Sequence, residues 1–323
     1  MNNPTQTSIL SVVVPFLNEE ENLPVLYERV CSVFDALPED VRFIFVDDGS
    51  TDGSAQWVRD TAKADSRVSL LQLSRNFGHQ IAITAGMDHA PGDAVIIMDA
   101  DLQDPPEVIP ELIEQWRAGY AVVYAVRSSR AGETWHKKLL SATFYKVFRA
   151  MVKLDVPLYA GDFRLVDRCV LDALKDVREL HRFVRALTCW VGFSQKAVYF
   201  ERAARHAGVT KYPLWKLINM AWDAMTSFSG APLRWVTAGG VLVAVLGGLR
   251  AVRTIWFRLM RPEHYEPGWA TIVALILILG GIQLICIGLV GQYVSRIFEE
   301  AKKRPLYLLR AEKGARDDGS RGS

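Results

Sequence analysis

Cysteine, histidine and net charge are all scarce in this 323-residue chain. The four cysteines, at 31, 169, 189 and 286, include no Cys-x-x-Cys pair. With no such spacing they read as reduced, buried thiols of a cytosolic compartment. The six histidines are scattered, which excludes a zinc site of ordinary spacing. A formal net charge of +2 is too small to point to nucleic acid. No internal repeat or low-complexity tract is present. Residues 1–7 are polar, and the apolar stretch 9–14 is too short and too soon broken to act as a signal peptide. The N-terminal part is therefore expected to stay in the cytoplasm.

Hydrophobic residues are plentiful, at 50% of the chain, enough for a sizeable core. The length accommodates one large domain plus extras. Apolar runs at 8–15, 41–46, 68–73, 94–98 and 120–126 read as strands, and helical stretches separate them. That alternation predicts an α/β fold with a parallel sheet under covering helices. Polar clusters follow the strands at 15–19, 47–52, 75–78 and 99–104. Buried parallel strands present ligands at their carboxyl ends, so these clusters are expected to converge on one crevice. The central one is Asp99-Ala-Asp101-Leu-Gln103, after a fully apolar strand and before the helix-opening pair Pro105-Pro106. Two carboxylates so close raise each other's pKa. A divalent cation with oxygen ligands gives them a reason to sit together, and Gln103 offers another oxygen. A plain polar turn is the competing reading of this motif alone.

Further on, Gly161-Asp162-Phe163-Arg164-Leu165 follows a short loop, and helical stretches at 167–175 and 182–191 precede a strand at 196–201. The segment 214–228 is amphipathic and suits a membrane interface or a surface position on the core. Residues 269–294 contain no charge and only Gln283 and Gln292 as strongly polar groups. A span needs about 20 apolar residues, so this stretch is expected to cross a membrane. Residues 235–259 form a second expected span, interrupted by Arg250 and Arg253, which can snorkel. Lys302, Lys303 and Arg304 then place the tail in the cytoplasm by the positive-inside rule, whereas Arg250, Arg253, Arg258 and Arg261 on the far side go against it. The expected division is a cytoplasmic catalytic domain (1–210), interfacial helices (211–234), two transmembrane helices (235–294) and a basic cytoplasmic tail (295–323).

Taken together, Pro15-x-x-Asn18-Glu19, Asp47-Asp48-Gly49-Ser50-x-Asp52 and Asp99-x-Asp101-x-Gln103 resemble glycosyltransferase family 2, with its GT-A, Rossmann-like nucleotide-sugar fold. Ser74-Arg75-Asn76-Phe77-Gly78, Gly161-Asp-Phe-Arg-Leu165, Arg205-x-x-Gly208-x-Thr210-Lys211-Tyr212 and the C-terminal hairpin resemble the polyprenyl-phosphate branch, which includes bactoprenol glucosyltransferases and dolichyl-phosphate mannose synthases. Leu17 departs from the tyrosine many relatives carry there. The resemblance covers about 8–307.

The resemblance implies an inverting hexose transfer, glucose from UDP-glucose first, to undecaprenyl phosphate on the cytoplasmic face of the inner membrane, for cell-envelope glycosylation. GDP-mannose or another UDP-sugar is the alternative donor, and a noncatalytic membrane scaffold is the alternative of another class. A processive synthase needs more spans and a Gln-x-x-Arg-Trp motif, which the chain lacks. Pro15, Leu17, Glu19 and Asp48 would line the nucleoside pocket, Asp47 would join them or only brace the turn, and Asp99 would face the ribose or diphosphate. Arg75 would contact the donor or make a surface salt bridge. Asp101 and Gln103 would hold Mg2+ or Mn2+. Arg127, Lys137 and Ser141 would hold the acceptor phosphate, and Arg205 and Lys211 either that phosphate or the donor diphosphate. Asp162 would act as general base, position sugar or acceptor, or simply pair with Arg164. A homo-oligomer stays open.

Overall fold

The computed structural model describes residues 8–127, 160–180, 182–200, 231–260 and 268–310. They fall into two compact units: residues up to 200 together with 305–310 in one, and the C-terminal helices in the other. In the first unit the strands are β1 (Ile9–Phe16), β2 (Asp40–Asp47), β3 (Val68–Gln72), β4 (Ala94–Ile97), β5 (Val122–Arg127), β6 (Ala160–Asp167) and β7 (Gln195–Phe200). The helices are α1 (Asn22–Phe34), α2 (Ser54–Ala64), α3 (His79–His89), α4 (Ile109–Arg117), α5 (Arg168–Lys175) and α6 (Val184–Trp190).

The seven strands form one sheet in the order β3-β2-β1-β4-β6-β5-β7. β1, β2, β3 and β4 are parallel, and β5 pairs in parallel with β7. β6 runs against both β4 and β5, so the sheet is mixed and not the all-parallel sheet expected from sequence. The motif 161–165 lies within this reversed strand, and the loop expected before it falls outside the described residues. Its alternation hid the strand, because Asp162 and Arg164 are themselves buried among Phe163, Leu165 and Val166.

β1 and β4 are buried along almost their whole length, which suits central strands covered on both faces. Their apolar side chains join Phe43 and Phe45 of β2 and Leu23, Leu26 and Val30 of α1 in the core. The β1–β2 register sets Pro15 beside Val46 and Phe16 beside Asp47, so the clusters 15–19 and 47–52 lie side by side. Gly49 (φ +87°) lets another chain segment approach, since a Cβ there would lie 2.9 Å from the Asn76 nitrogen.

All four cysteines are free thiols, but none is buried as expected: Cys169 is exposed and the others are half-buried. Cys169 sits on α5, which turns Val170, Leu171 and Leu174 to the core instead.

The second unit contains α7 (Ala231–Met260) and α8 (Trp269–Ala301). Within α8, Ile278–Ala301 is long and apolar enough to cross a membrane, and Trp235–Arg250 of α7 is a shorter apolar stretch. α8 stays helical past the expected end at 294. Residues 305–310 then return to the first unit: Arg310 N donates to Gln72 O and Ser74 N donates to Leu308 O, both at 2.8 Å.

Candidate active site

The carboxyl ends of β1, β2 and β4 and the start of α3 enclose one open pocket of about 310 Å³. Pro15, Leu17, Glu19, Asp48, Asp99 and Asp101 line it, with Asn76, Gly78 and His79. The β1 and β2 turns lock together by reciprocal hydrogen bonds. Asn18, in the left-handed region at φ 57°, donates its N–H to Ser50 Oγ (3.0 Å), and its Oδ1 accepts from Thr51 N (2.8 Å). Glu19 N donates to Ser54 Oγ (2.9 Å). Burial raises the Glu19 carboxyl, with Asn22 opposing.

The adjacent aspartates 47 and 48 do different work. Asp47 is fully buried, accepts from Ser50 N (2.7 Å) and Gln72 Nε2 (2.8 Å), and is absent from the pocket lining. Those bonds brace the turn, the second of the two roles the sequence left open for Asp47. Asp48 lines the pocket and accepts from Phe77 N (2.7 Å) and Gly78 N (3.0 Å), fixing the loop 75–78. Burial raises its carboxyl against those two bonds. Arg75 makes no ion pair among the described residues. Its guanidinium lies 4.0 Å over the Phe77 ring and donates to Asn76 O (3.0 Å).

β4 delivers Asp99 and Asp101. Burial, with Asp162, Asp104 and Asp101 nearby, pushes Asp99 up to about 6 against the opposing His79. Asp99 Oδ1 is buried and receives no hydrogen bond among the described residues, although His79 Nε2 lies 3.3 Å away. Asp101 is exposed and accepts from Gln103 N (3.1 Å). A carboxylate oxygen without a donor, a second exposed carboxylate and a nearby amide form a hard-oxygen donor set that fits Mg2+ or Mn2+.

Behind the pocket lies Asp162, only 4% exposed. Arg185 of α6 grips it with two bonds, Nε to Oδ1 (2.7 Å) and Nη2 to Oδ2 (3.0 Å). Gln80 Nε2 donates to Oδ2 and His79 Nε2 lies beside it, each at 3.2 Å. The pairing with Arg164 considered above is not formed. Arg164 donates instead to Thr188 Oγ1 (2.7 Å) and Gly161 O (3.0 Å). Burial works to raise the Asp162 carboxyl, but His79 and Arg185 hold it far below the usual carboxylate range. Burial works to lower His79, and Asp162 and Asp99 raise it above its ordinary value. His79, Asp99 and Asp162 each bring a ligand atom within 4.8 Å of the others. A guanidinium already spans both oxygens of Asp162, so the pocket carboxylates are the better cation ligands.

Sequence reasoning missed His79, Gln80 and Arg185. His79 had a signal, since it directly follows the cluster 75–78. Arg185 had none, because only the fold brings α6 to β6. On the acceptor side, Arg127 ends β5. Lys137, Ser141, Arg205 and Lys211 lie outside the described residues.

Comparison with known proteins adds an independent line. Residues 11–175 match the family described as glycosyl transferase family 2, and residues 231–297 match the GtrB C-terminal hairpin. The glycosyltransferase YkcC of Bacillus subtilis (strain 168), itself described as uncharacterized, is 45% identical over 304 residues, covering 94% of this chain and 94% of that protein. A bactoprenol glucosyl transferase of Shigella phage SfV is 41% identical over 304 residues, covering 94% of this chain and 99% of that protein. Among solved structures, glucosyl-3-phosphoglycerate synthase from Mycobacterium tuberculosis is similar over 68% of this chain and 78% of its own, at 19% identity and a TM-score of 0.45.

Proposed function

Because the chain belongs to glycosyltransferase family 2, we propose that it transfers glucose from UDP-glucose to a polyprenyl phosphate, undecaprenyl phosphate first, at the cytoplasmic face of a membrane. The observation that carries this reading is the combination, in one chain, of the acidic pocket at the β1, β2 and β4 ends with a C-terminal hairpin of the GtrB type. Relatives named bactoprenol glucosyl transferases, similar along nearly the whole chain, support the sugar and the lipid.

The chemistry follows from the acceptor. A phosphate monoester has a second pKa of about 6 and is largely a dianion at neutral pH. Its oxygen attacks the anomeric carbon and forms the new C–O bond. The bond from that carbon to the diphosphate breaks, and its electron pair leaves with UDP. Displacement from the opposite side inverts the centre, so an α-linked donor gives a β-linked lipid phosphate. No proton need be removed from the acceptor. Pro15, Leu17, Glu19 and Asp48 hold the nucleoside. Asp101, Gln103 and Asp99 would hold Mg2+ or Mn2+, which supplies positive charge against the diphosphate when bound. Asp162 positions rather than abstracts, because a carboxylate held so far below the usual range is a feeble base. Arg127, Lys137, Ser141, Arg205 and Lys211 are assigned to the phosphates. Each charge-assisted bond is worth about 1.5–3 kcal/mol.

The expected biochemical result is release of UDP that depends on undecaprenyl phosphate. Equal release with undecaprenol, which lacks the phosphate, would contradict the acceptor assignment. A two-crossing hairpin is supported by chain connectivity. Residues up to 200, which precede both helices, and residues 305–310, which follow them, belong to one folded unit, which an even number of crossings allows. Reporter fusions at the N-terminus and after Ser323 should therefore both read cytoplasmic. A periplasmic C-terminus would mean a single crossing.

A further inference from the structure

α3 carries His79 at its first residue and Asp88 and His89 at its last two. Together with the loop before it, this helix supplies Asn76, Gly78 and His79 to the pocket. Both ends of that loop–helix module are fastened from one place, residues 305–310. At the near end, Leu73 pairs antiparallel with Leu309, flanked by the backbone bonds Ser74 N to Leu308 O and Arg310 N to Gln72 O. At the far end, Tyr307 donates to Asp88 Oδ2 (2.9 Å), and its ring meets that of His89 edge-on at 5.9 Å. Arg178 Nη1 donates to the same Asp88 oxygen (2.6 Å). Leu306 beside them is buried. β3 is the outermost strand of the sheet, and the returning chain bonds to its last residue, Gln72, and to Leu73 just beyond it.

We propose that residues 305–310 form a positioning strap for the donor pocket, with Tyr307 as its anchor at the far end of α3. The strap holds the loop 74–78 and α3 in the arrangement that lets the Phe77 and Gly78 amides meet Asp48. The chain leaving the membrane hairpin is thereby part of what shapes the pocket, and separating the hairpin from the catalytic unit removes more than access to the lipid. The identity of the ligand rests on the function proposed above; the fastening does not.

The test uses full-length protein in lipid nanodiscs, with three changes. Tyr307→Phe removes the anchor hydroxyl. Arg310→Pro removes a backbone donor. A chain ending at Arg304 removes the whole strap. Hydrogen exchange is read across the catalytic unit without ligand, and UDP binding is measured by calorimetry. Exchange should rise selectively in 73–78 for Arg310→Pro and in 86–89 for Tyr307→Phe, and in both for the shortened chain. UDP should bind about tenfold more weakly for each lost hydrogen bond, with kcat at saturating donor little changed. Unchanged exchange overturns the proposal, as does a rise spread evenly over the unit, which would make the strap a general stabiliser. Selective loosening with undiminished UDP affinity also overturns it. A wild type that binds no UDP would instead strike the donor assignment and leave the exchange pattern to decide the strap.

Discussion

Asp101→Asn should abolish transfer while leaving the fold intact. The carboxylate is exposed at the pocket, and its one hydrogen bond among the described residues, from Gln103 N at 3.1 Å, can also be made to an amide oxygen. Its loss should therefore change stability by no more than about 0.5 kcal/mol, as surface substitutions usually do. What it removes is one charged oxygen from a donor set whose other carboxylate, Asp99, carries a buried oxygen with no hydrogen-bond donor among the described residues. A diphosphate leaves poorly until its charge is offset, and loss of one preorganised electrostatic contact commonly costs about 10²–10³ in kcat. Excess chelator should silence the wild type as well, with Mg2+ or Mn2+ restoring it. Steady-state rates with and without chelator decide the matter. Full activity in chelator, or in Asp101→Asn, would remove the ion from the account.

Asp162→Asn should be almost as damaging, for a different reason. The substitution leaves Arg185 without the carboxylate that holds its Nε and Nη2, and takes from His79 one of its two acidic neighbours. The Arg185 side chain is 32% exposed, so water screens the charge left behind, and the cost falls below the figure of about 3–5 kcal/mol for a fully buried pair. Lower stability and a large fall in rate should still come together. The pH dependence separates positioning from proton abstraction. The folded carboxyl is depressed well below the unfolded value of about 3.9. Its contribution to stability is thus fully present above that unfolded value and is lost only as pH falls through the lower, folded one. Throughout neutral and mildly acid pH it stays ionised, so it cannot produce an acidic limb there. A limb near the second pKa of the acceptor phosphate, about 6, should survive in Asp162→Asn. Disappearance of that limb with the carboxylate would make Asp162 the base after all.

The part of the site that could be read from sequence is the part fixed by strand ends. Once 8–15, 41–46 and 94–98 are recognised as buried strands, the clusters after them must meet at one edge, and Glu19, Asp48, Asp99 and Asp101 do line one pocket. Alternation along the chain does not reveal strand direction. β6 joins the sheet backwards between β4 and β5, and its buried Asp162 and Arg164 disguise it as a polar motif. The partner of Asp162 was illegible for the same reason. Arg164, two residues away, is the natural candidate by proximity, but it binds Thr188 and Gly161, while Arg185 arrives on α6. The neighbouring carboxylates 47 and 48 look equivalent in sequence. Only the register separates the one that braces a turn from the one that faces the pocket. Nothing local in residues 305–310 announces that they return to β3, since a single antiparallel pairing with Leu73 leaves no periodic trace.

The most direct test is a donor screen with the full chain in lipid bilayers containing undecaprenyl phosphate. Labelled UDP-glucose, GDP-mannose and other UDP-sugars are offered in turn, and the lipid product is analysed by mass and anomeric configuration. The account predicts a β-linked glucosyl phosphate lipid formed from UDP-glucose, with UDP released in equal amount. No sugar on the lipid from any donor, or a product in which the α configuration is retained, would contradict it.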